Sequence, residues 1–216
     1  MLYSILDHME RISRIIHLLK KRYPYVKTAL HYRNPLQILV ATILSAQCTD
    51  KRVNLVTKGL FRKYRNVNDY AEADRLRFEA EIRSTGFYRN KAKNIIAAAN
   101  KIKSDFKGRV PGNMDDLLKL PGVARKTANI VLYHGFGKNE GIAVDTHVKR
   151  LSQRLGLTTN KDPVKIERDL MDRTKRTDWG RISDLLIEHG RKICEARKPD
   201  CPVCFLAPFC PSCNKC

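Results

Sequence analysis

The sequence predicts an all-α fold, and three observations support this class. Near the N-terminus, Ile12, Ile15 and Leu19 recur at the spacing that places apolar side chains on one face of a helix. Asp162 directly before Pro163 is typical of a helix start, because the carboxylate caps free N–H groups and proline suits the first helical position. No two alternating segments joined by a hairpin turn occur in the chain, so the pattern does not predict a β-sheet.

The predicted helices follow one another along the whole chain, and the first spans Ile5–Leu19. The segment Gln37–Ala46 is nearly all apolar and β-branched, so a buried strand is an alternative there. Its length, and the Asn34 and Pro35 that precede it, favour a buried helix. Further helices are expected at Lys51–Tyr64, Arg75–Ser84, Arg89–Phe106, Asn113–Lys119, Arg125–Tyr133, Thr146–Leu155, Pro163–Met171 and Arg181–His189.

The length of 216 residues allows one large domain or two small ones with real cores. Candidate boundaries are the glycine-rich stretch Gly135–Gly141 and the turn at Gly108–Gly112. No apolar run approaches the ~20 residues of a membrane helix. The N-terminal segment carries Asp7 and Glu10 and lacks the apolar block and cleavage site of a secretory signal. We therefore expect a cytoplasmic protein that makes no membrane contact.

The charge balance points to a polyanionic partner. Lysine and arginine total 42 and aspartate and glutamate total 22, so the formal net charge is +20. The basic residues recur in nearly every segment, which predicts a broad basic surface rather than a charged tail. Such a surface favours nucleic acid, because neutralising phosphates supplies much of that binding. A general solubility charge and a basic membrane-surface protein are the alternatives.

The segment 115–132 predicts two helices joined by a tight hairpin. Pro121 and Gly122 end the first helix, and the second begins within about three residues. Gly122 permits a positive φ, and the opening N–H groups of the second helix suit a phosphate without reading base sequence. A plain helical turn is the structural alternative. The apolar residues expected to pack the hairpin are Leu117, Leu120, Val123 and Ala128.

Two residues in this half of the chain could carry chemistry. Lys126 starts the second hairpin helix beside Arg125, and both the helix N-terminus and that cation disfavour the charged form of its amine. A neutral amine could form a Schiff base with a sugar carbon, although simple phosphate pairing is an alternative. Asp145, in the run Val-Asp-Thr-His, could stabilise positive charge on a sugar or merely cap a helix. His147 is expected to be structural.

These motifs resemble the endonuclease III family of DNA glycosylases. In that family the hairpin lysine and the aspartate of the Val-Asp-Thr-His segment are the catalytic pair, so the resemblance assigns those roles to Lys126 and Asp145. It implies a bifunctional glycosylase, in which the lysine displaces the damaged base and the imine allows β-elimination. The second hairpin glycine of the family is Ala124 here. The replacement affects either a backbone angle that only glycine adopts or the closest approach of a phosphate at that position. The implied contacts of the hairpin with DNA are Gly122, Val123, Ala124 and Arg125.

Two loops resemble those with which the family enters the duplex. Extruding a nucleotide leaves a gap that a side chain must fill. The run Ser-Ala-Gln-Cys-Thr-Asp that contains Gln47 is similar to the family loop whose glutamine fills that gap. The run Gly86-Phe87-Tyr88 is similar to the family's wedge loop, where leucine is usual. A buried core position is the alternative for Phe87.

The cysteines predict a metal site at the C-terminus. Six of the seven lie in the last 23 residues, and the first four have spacings of six, two and five residues between them. Short and long spacings together let four thiolates converge on an iron–sulfur cluster, while the pairs of cysteines two residues apart leave a zinc site as an alternative. The resemblance favours a 4Fe–4S cluster and a phosphate-binding loop at Arg197 and Lys198. The implied cluster ligands are Cys194, Cys201, Cys204 and Cys210, with Cys213 and Cys216 as extra thiols or substitute ligands.

The family architecture implies a six-helix barrel over residues 28–138 with the hairpin at 114–133. A second helical domain, residues 1–27 and 139–216, would carry the cluster, with DNA in the cleft between Lys126 and Asp145. The implied activity is the removal of oxidised pyrimidines from double-stranded DNA in base excision repair, with cleavage at abasic sites, by a monomer at the nucleoid. A mismatch or uracil glycosylase of the same fold and a non-catalytic DNA-binding metal protein are the alternatives.

Overall fold

A computed structural model of the chain describes residues 2–213 and Lys215, with side chains from Glu10 onward. The described residues form helices and turns and contain no β-strand, which confirms the predicted all-α class. The helices are α1 (Leu2–Arg22), α2 (Pro35–Leu44), α3 (Asp50–Lys63), α4 (Val67–Ala71), α5 (Arg75–Ile82), α6 (Tyr88–Asp105), α7 (Met114–Leu118), α8 (Arg125–Ile130), α9 (Thr146–Arg154), α10 (Pro163–Arg173) and α11 (Trp179–Lys192). Short 3₁₀ turns lie at Arg83–Thr85, Arg176–Asp178 and Ala207–Phe209, and one π-helical turn lies at Val131–Gly135.

The chain folds into two compact units, one of residues Thr28–Lys138 and one of Met1–Lys27 with Asn139–Cys216. The chain crosses from one unit to the other twice, and the second crossing, between Lys138 and Asn139, lies in the predicted glycine-rich boundary 135–141. The turn at Gly108–Gly112 lies inside the first of these units, so that candidate boundary is wrong. No helix in the described part of the chain is long and apolar enough to cross a membrane.

The unit Thr28–Lys138 is built around α2. The Asn34 side chain accepts a hydrogen bond from the Gln37 backbone N–H at 2.9 Å, and Pro35 begins the helix. Every residue from Ile38 to Leu44 is buried, so this apolar segment is a helix buried on all sides and the strand alternative is wrong. Helices α3, α6 and α8 pack on α2, and α4 and α5 pack on α6.

Two helices of this unit differ from the prediction. Helix α4 was not predicted, because five residues are too few to show a period. A capping box holds its start: Asp69 donates its backbone N–H to the Asn66 side chain and accepts from the Asn66 N–H, each at 3.1 Å. The second hairpin helix is regular only over Arg125–Ile130 and continues as the π-helical turn.

The other unit packs α1 and α9 against α11. Ile12, Ile15 and Leu19 are buried in its core, so the predicted apolar face of α1 is confirmed. The Asp162 carboxylate accepts hydrogen bonds from the N–H groups of Val164 and Lys165, both at 3.0 Å. This confirms the predicted start of α10, and the chain after α11 leads into the cysteine-rich tail.

Candidate functional site

The predicted hairpin consists of α7, the turn after it and α8. The N–H groups of Leu120 and Val123 donate to the carbonyls of Leu117 and Leu120, both at 3.1 Å. Gly122 has a φ of 77°, and a Cβ there would lie 2.7 Å from the Cβ of Asn94. Only glycine satisfies both conditions. Val123 is 7% exposed, and its backbone N–H donates to the Leu120 carbonyl within the turn. Its side chain therefore packs the hairpin, and its N–H is not available to a ligand in solvent.

The start of α8 is open to solvent. Ala124 is the N-cap, with the extended angles φ −92° and ψ 170°, and no side chain caps the first N–H groups. These angles are available to any residue, so the backbone at 124 does not require glycine. Arg125 is half-buried, whereas Lys126 is exposed and its amine has no hydrogen bond or ion pair to any residue that the structure describes.

The two predicted DNA-entering side chains line one cavity of about 240 Å³, together with Gly122 and Thr127 of the hairpin. Gln47 is exposed with a φ of 52°, and Phe87 is 63% exposed with a φ of 47°. Left-handed angles in non-glycine residues store strain and are often found at functional sites. A side chain that is 63% exposed is not part of the core. The core alternative for Phe87 is therefore wrong.

Sequence reasoning missed Lys91, which lines the same cavity but is only 4% exposed. Its Nζ donates to the carbonyl oxygens of Leu44 and Thr85, both at 2.8 Å. Burial lowers the pKa of this lysine. Nothing in a chain with 42 basic residues signals which lysine is buried.

Asp145 begins α9, and its Oδ1 accepts a hydrogen bond from the Val148 N–H at 2.8 Å. The capping role is confirmed, and it fixes the direction of the carboxylate. His147 is half-buried, with its Nδ1 3.2 Å from the Arg150 guanidinium, as expected for a structural residue. Lys126 and Asp145 belong to different units, so their pairing across a cleft stays a prediction.

The four predicted cluster ligands line one cavity, together with Cys213. All the described cysteines are free thiols, and Cys216 lies outside the described residues. Burial raises the pKa of Cys204 and Cys210, and the other thiols of the group raise it further. A cluster of close, partly buried thiols is stable when a metal replaces their protons, so the donor set fits a soft metal group.

Among the described residues, no three His, Cys, Asp or Glu side chains lie close enough to hold one metal ion.

Polar groups lie beside two of these sulfurs. The Arg154 guanidinium donates to the Cys194 Sγ at 3.3 Å, and the His189 Nε2 lies 3.5 Å from the Cys204 Sγ. Burial lowers the pKa of His189 to about 4, so this ring is neutral near pH 7. Hydrogen bonds to sulfur are one means by which a protein stabilises such a cluster.

The loop between Cys194 and Cys201 presents Arg197 and Lys198, and both are exposed. Arg154 shapes this loop by donating to the carbonyl oxygens of Glu195 at 2.7 Å and Ala196 at 2.9 Å. The same arginine therefore contacts a predicted cluster ligand and the backbone that precedes the basic pair.

Comparisons with known proteins agree with the sequence motifs. The family model described as HhH-GPD superfamily base excision DNA repair protein matches residues 40–176. Endonuclease III of Synechocystis sp. is 55% identical over 212 residues, covering 98% of this chain and 97% of the relative. Endonuclease III of Bacillus subtilis is 46% identical and covers 87% of this chain and 86% of its own.

A solved structure, described as a trapped endonuclease III–DNA covalent intermediate in an estranged-adenine complex, superposes with a TM-score of 0.92. It is 41% identical and covers 96% of this chain and 97% of its own. These findings confirm the family resemblance, the fold class and the enzyme class that the sequence predicted. The chain belongs to the HhH-GPD superfamily of base excision DNA repair proteins and, within it, to the endonuclease III family of DNA glycosylases and lyases.

Proposed function

We propose that this glycosylase is bifunctional, removing oxidised pyrimidines from double-stranded DNA and cleaving abasic sites through an imine on Lys126. The observation that carries the proposal is the exposed Lys126 amine, which has no partner in the described part of the chain and follows an open hairpin turn. An exposed lysine without such partners can bind a ligand, because no contact of the fold occupies its amine. The relatives named endonuclease III, one of them trapped covalently on DNA, support the same reading.

The chemistry begins when the nitrogen lone pair of Lys126 bonds to the sugar C1′. The glycosidic bond breaks and the base leaves with its electron pair and a proton. The C1′–O4′ bond then breaks, which gives a protonated imine on Lys126, and O4′ takes a proton from water. The resulting hydroxide removes a C2′ proton, a C2′=C3′ double bond forms, and the C3′–O bond breaks to release the 3′ phosphate with its electron pair. Asp145 stabilises the positive charge that develops on the sugar. Its Oδ1 is occupied by the Val148 N–H, so Oδ2 is the oxygen free to face the sugar.

Binding and base extrusion use the remaining site residues. The hairpin residues Gly122, Ala124 and Arg125, with Val123 packing the turn, hold the phosphate backbone, as do Arg197 and Lys198. Gln47 fills the space of the extruded nucleotide, and Phe87 stacks on a neighbouring base. Such contacts recognise duplex DNA with a weakened base pair. We expect the enzyme to act as a monomer at the nucleoid.

A 4Fe–4S cluster bound by Cys194, Cys201, Cys204 and Cys210 would act as a structural staple for the tail. The four thiols line one cavity, and their spacing along the chain is that of the family's cluster motif. The purified protein should be brown and contain iron rather than zinc. The cluster would fix the loop that carries the basic pair Arg197 and Lys198.

Borohydride trapping tests the Lys126 assignment. Sodium borohydride reduces an imine to a stable amine, so the wild-type protein should become covalently attached to a duplex with an abasic site. Lys126→Gln should abolish trapping while duplex affinity falls by less than about ten-fold, since a single phosphate contact is lost. Lys119→Gln is the matched control, because Lys119 is an exposed lysine of the same hairpin that pairs with Asp116 at 2.7 Å. It should be trapped like the wild type.

Two results would contradict the assignment. Trapping of Lys126→Gln at the wild-type rate would show that another amine is the nucleophile. Loss of duplex binding by Lys126→Gln, with normal trapping at saturating protein, would show that Lys126 only contacts phosphate.

A further inference from the structure

Lys91 is a buried cation without an acidic partner. Its side chain is 4% exposed, and it forms no ion pair with any described residue. Lysine is almost never buried in this way unless its charge is compensated. The compensation here is two carbonyl oxygens, those of Leu44 and Thr85, each 2.8 Å from Nζ. The Lys91 ammonium therefore links the two backbone segments that carry these carbonyls.

Both carbonyls belong to helix ends. Leu44 is the last residue of α2, and Thr85 is the last residue of the 3₁₀ turn that follows α5. Terminal carbonyls lack donors within their own helix and carry the negative end of the helix dipole. A cation near a helix C-terminus satisfies both requirements. One ammonium group thus joins two helix ends that are distant in sequence.

Each of these helix ends leads directly into a loop that enters DNA in the proposed function. Gln47 lies three residues after Leu44, and Phe87 lies two residues after Thr85. Both residues have left-handed backbone angles, both are exposed, and both line the cavity that Lys91 also lines. Angles of this kind persist only where the surroundings fix them. Turn hydrogen bonds hold each loop separately, whereas the Lys91 ammonium bonds the bases of both loops at once.

We propose that Lys91 is a positioning residue that sets the spacing between Gln47 and Phe87, so that both side chains enter the duplex together when a nucleotide is extruded. The proposal rests on the functions proposed above for those two loops. Lys91 acts through them, because its amine is buried and already bonded to the two carbonyls.

The test is a duplex oligonucleotide with thymine glycol beside the fluorescent base 2-aminopurine, whose emission rises when its neighbours unstack. With saturating Lys91→Met, the rise should fall to less than half of the wild-type value. Single-turnover excision should slow by about 10- to 100-fold, the range expected when site geometry is displaced by about 1 Å. Affinity for undamaged duplex should change by less than about two-fold, because the phosphate contacts lie elsewhere.

Lys103→Met is the matched control. This substitution also removes a lysine from α6, but Lys103 pairs with Glu72 at the surface and contacts neither loop. The fluorescence rise should therefore equal that of the wild type. Lys91→Gln is the second variant if Lys91→Met does not fold. Its amide keeps a donor in the buried site but is too short to span both carbonyls, so the rise should also fall.

A single-stranded oligonucleotide with an abasic site separates positioning from a merely structural role, because it requires no extrusion. Borohydride trapping of Lys91→Met on this strand should stay within about three-fold of the wild type, since mismatched or unpaired sites demand least opening. An unchanged fluorescence rise, or equal losses on duplex and single strand, would overturn the proposal. If the wild type shows the rise but no trapping, the Lys126 chemistry fails, and the fluorescence of the Lys91 variants still decides the positioning role.

Discussion

Replacing Gly122 by alanine is expected to lower the free energy of unfolding by about 2–5 kcal/mol. The structure gives two separate contributions. A residue with a Cβ at φ 77° costs about 1–2 kcal/mol, because the Cβ approaches the carbonyl oxygen. The new methyl would also lie 2.7 Å from the Asn94 Cβ in α6, and relieving such overpacking costs about 1–3 kcal/mol.

Gly108→Ala separates the two contributions. Gly108 has a φ of 72°, nearly the angle of Gly122, but a Cβ there would meet nothing within 4 Å. This control should therefore lose only the conformational part, about 1–2 kcal/mol. The difference between the two variants measures the contact between the hairpin and α6.

The assay is urea unfolding of both variants, followed by borohydride trapping of the folded proteins on an abasic duplex. Gly122→Ala should be less stable than Gly108→Ala by at least about 1 kcal/mol and should be trapped more slowly, because the turn before Lys126 has moved. Equal destabilisation by the two substitutions would refute the claim that the hairpin is locked against Asn94.

Four further substitutions test other parts of the molecule. Asp145→Asn should change stability by less than about 0.5 kcal/mol, because asparagine also caps helices, yet should slow single-turnover excision by about 10²-fold or more through loss of charge. Cys201→Ala should lose the bound iron in metal analysis, whereas Cys213→Ala should keep it; iron loss from both would make Cys213 a ligand. Tyr70→Phe should raise the free energy of unfolding in urea by about 1 kcal/mol, because the buried Tyr70 hydroxyl has no partner among the described residues. A decrease would reveal an unrecognised partner of that hydroxyl.

Local signals in the sequence account for most of the helices. Asn34, Asp145 and Asp162 each cap a helix at the position expected from the residues that follow them. Caps of this kind act over three or four residues, so they can be read without knowing the fold. The apolar face of α1 is equally local, because it depends only on the helical repeat.

Two features of the site could not be predicted from the sequence: the role of Lys91 and the exposure of Phe87. Both depend on contacts between residues that are distant in the sequence. The burial of Lys91 becomes visible only when α2, α6 and the turn ending at Thr85 meet, since its hydrogen-bond acceptor Leu44 lies 47 residues away. The exposure of Phe87 follows from the left-handed angle at the start of α6, which a run of Gly, Phe and Tyr does not specify. An apolar residue at that place is compatible with a core or a surface until the packing is known.

The two positions of the hairpin turn at which the family has glycine, 122 and 124, differ in what they require of the residue. At Gly122 the backbone itself demands glycine, because the positive φ and the contact with Asn94 each exclude a Cβ. At Ala124 the angles are those of ordinary extended backbone, so a methyl group is accommodated without strain. The backbone angle at this second position is therefore no reason for a glycine, whereas a closer approach of phosphate is. Because glycine is preferred to alanine at a helix N-cap, Ala124→Gly should not destabilise the protein, and it should also raise the affinity for phosphate by allowing a closer approach.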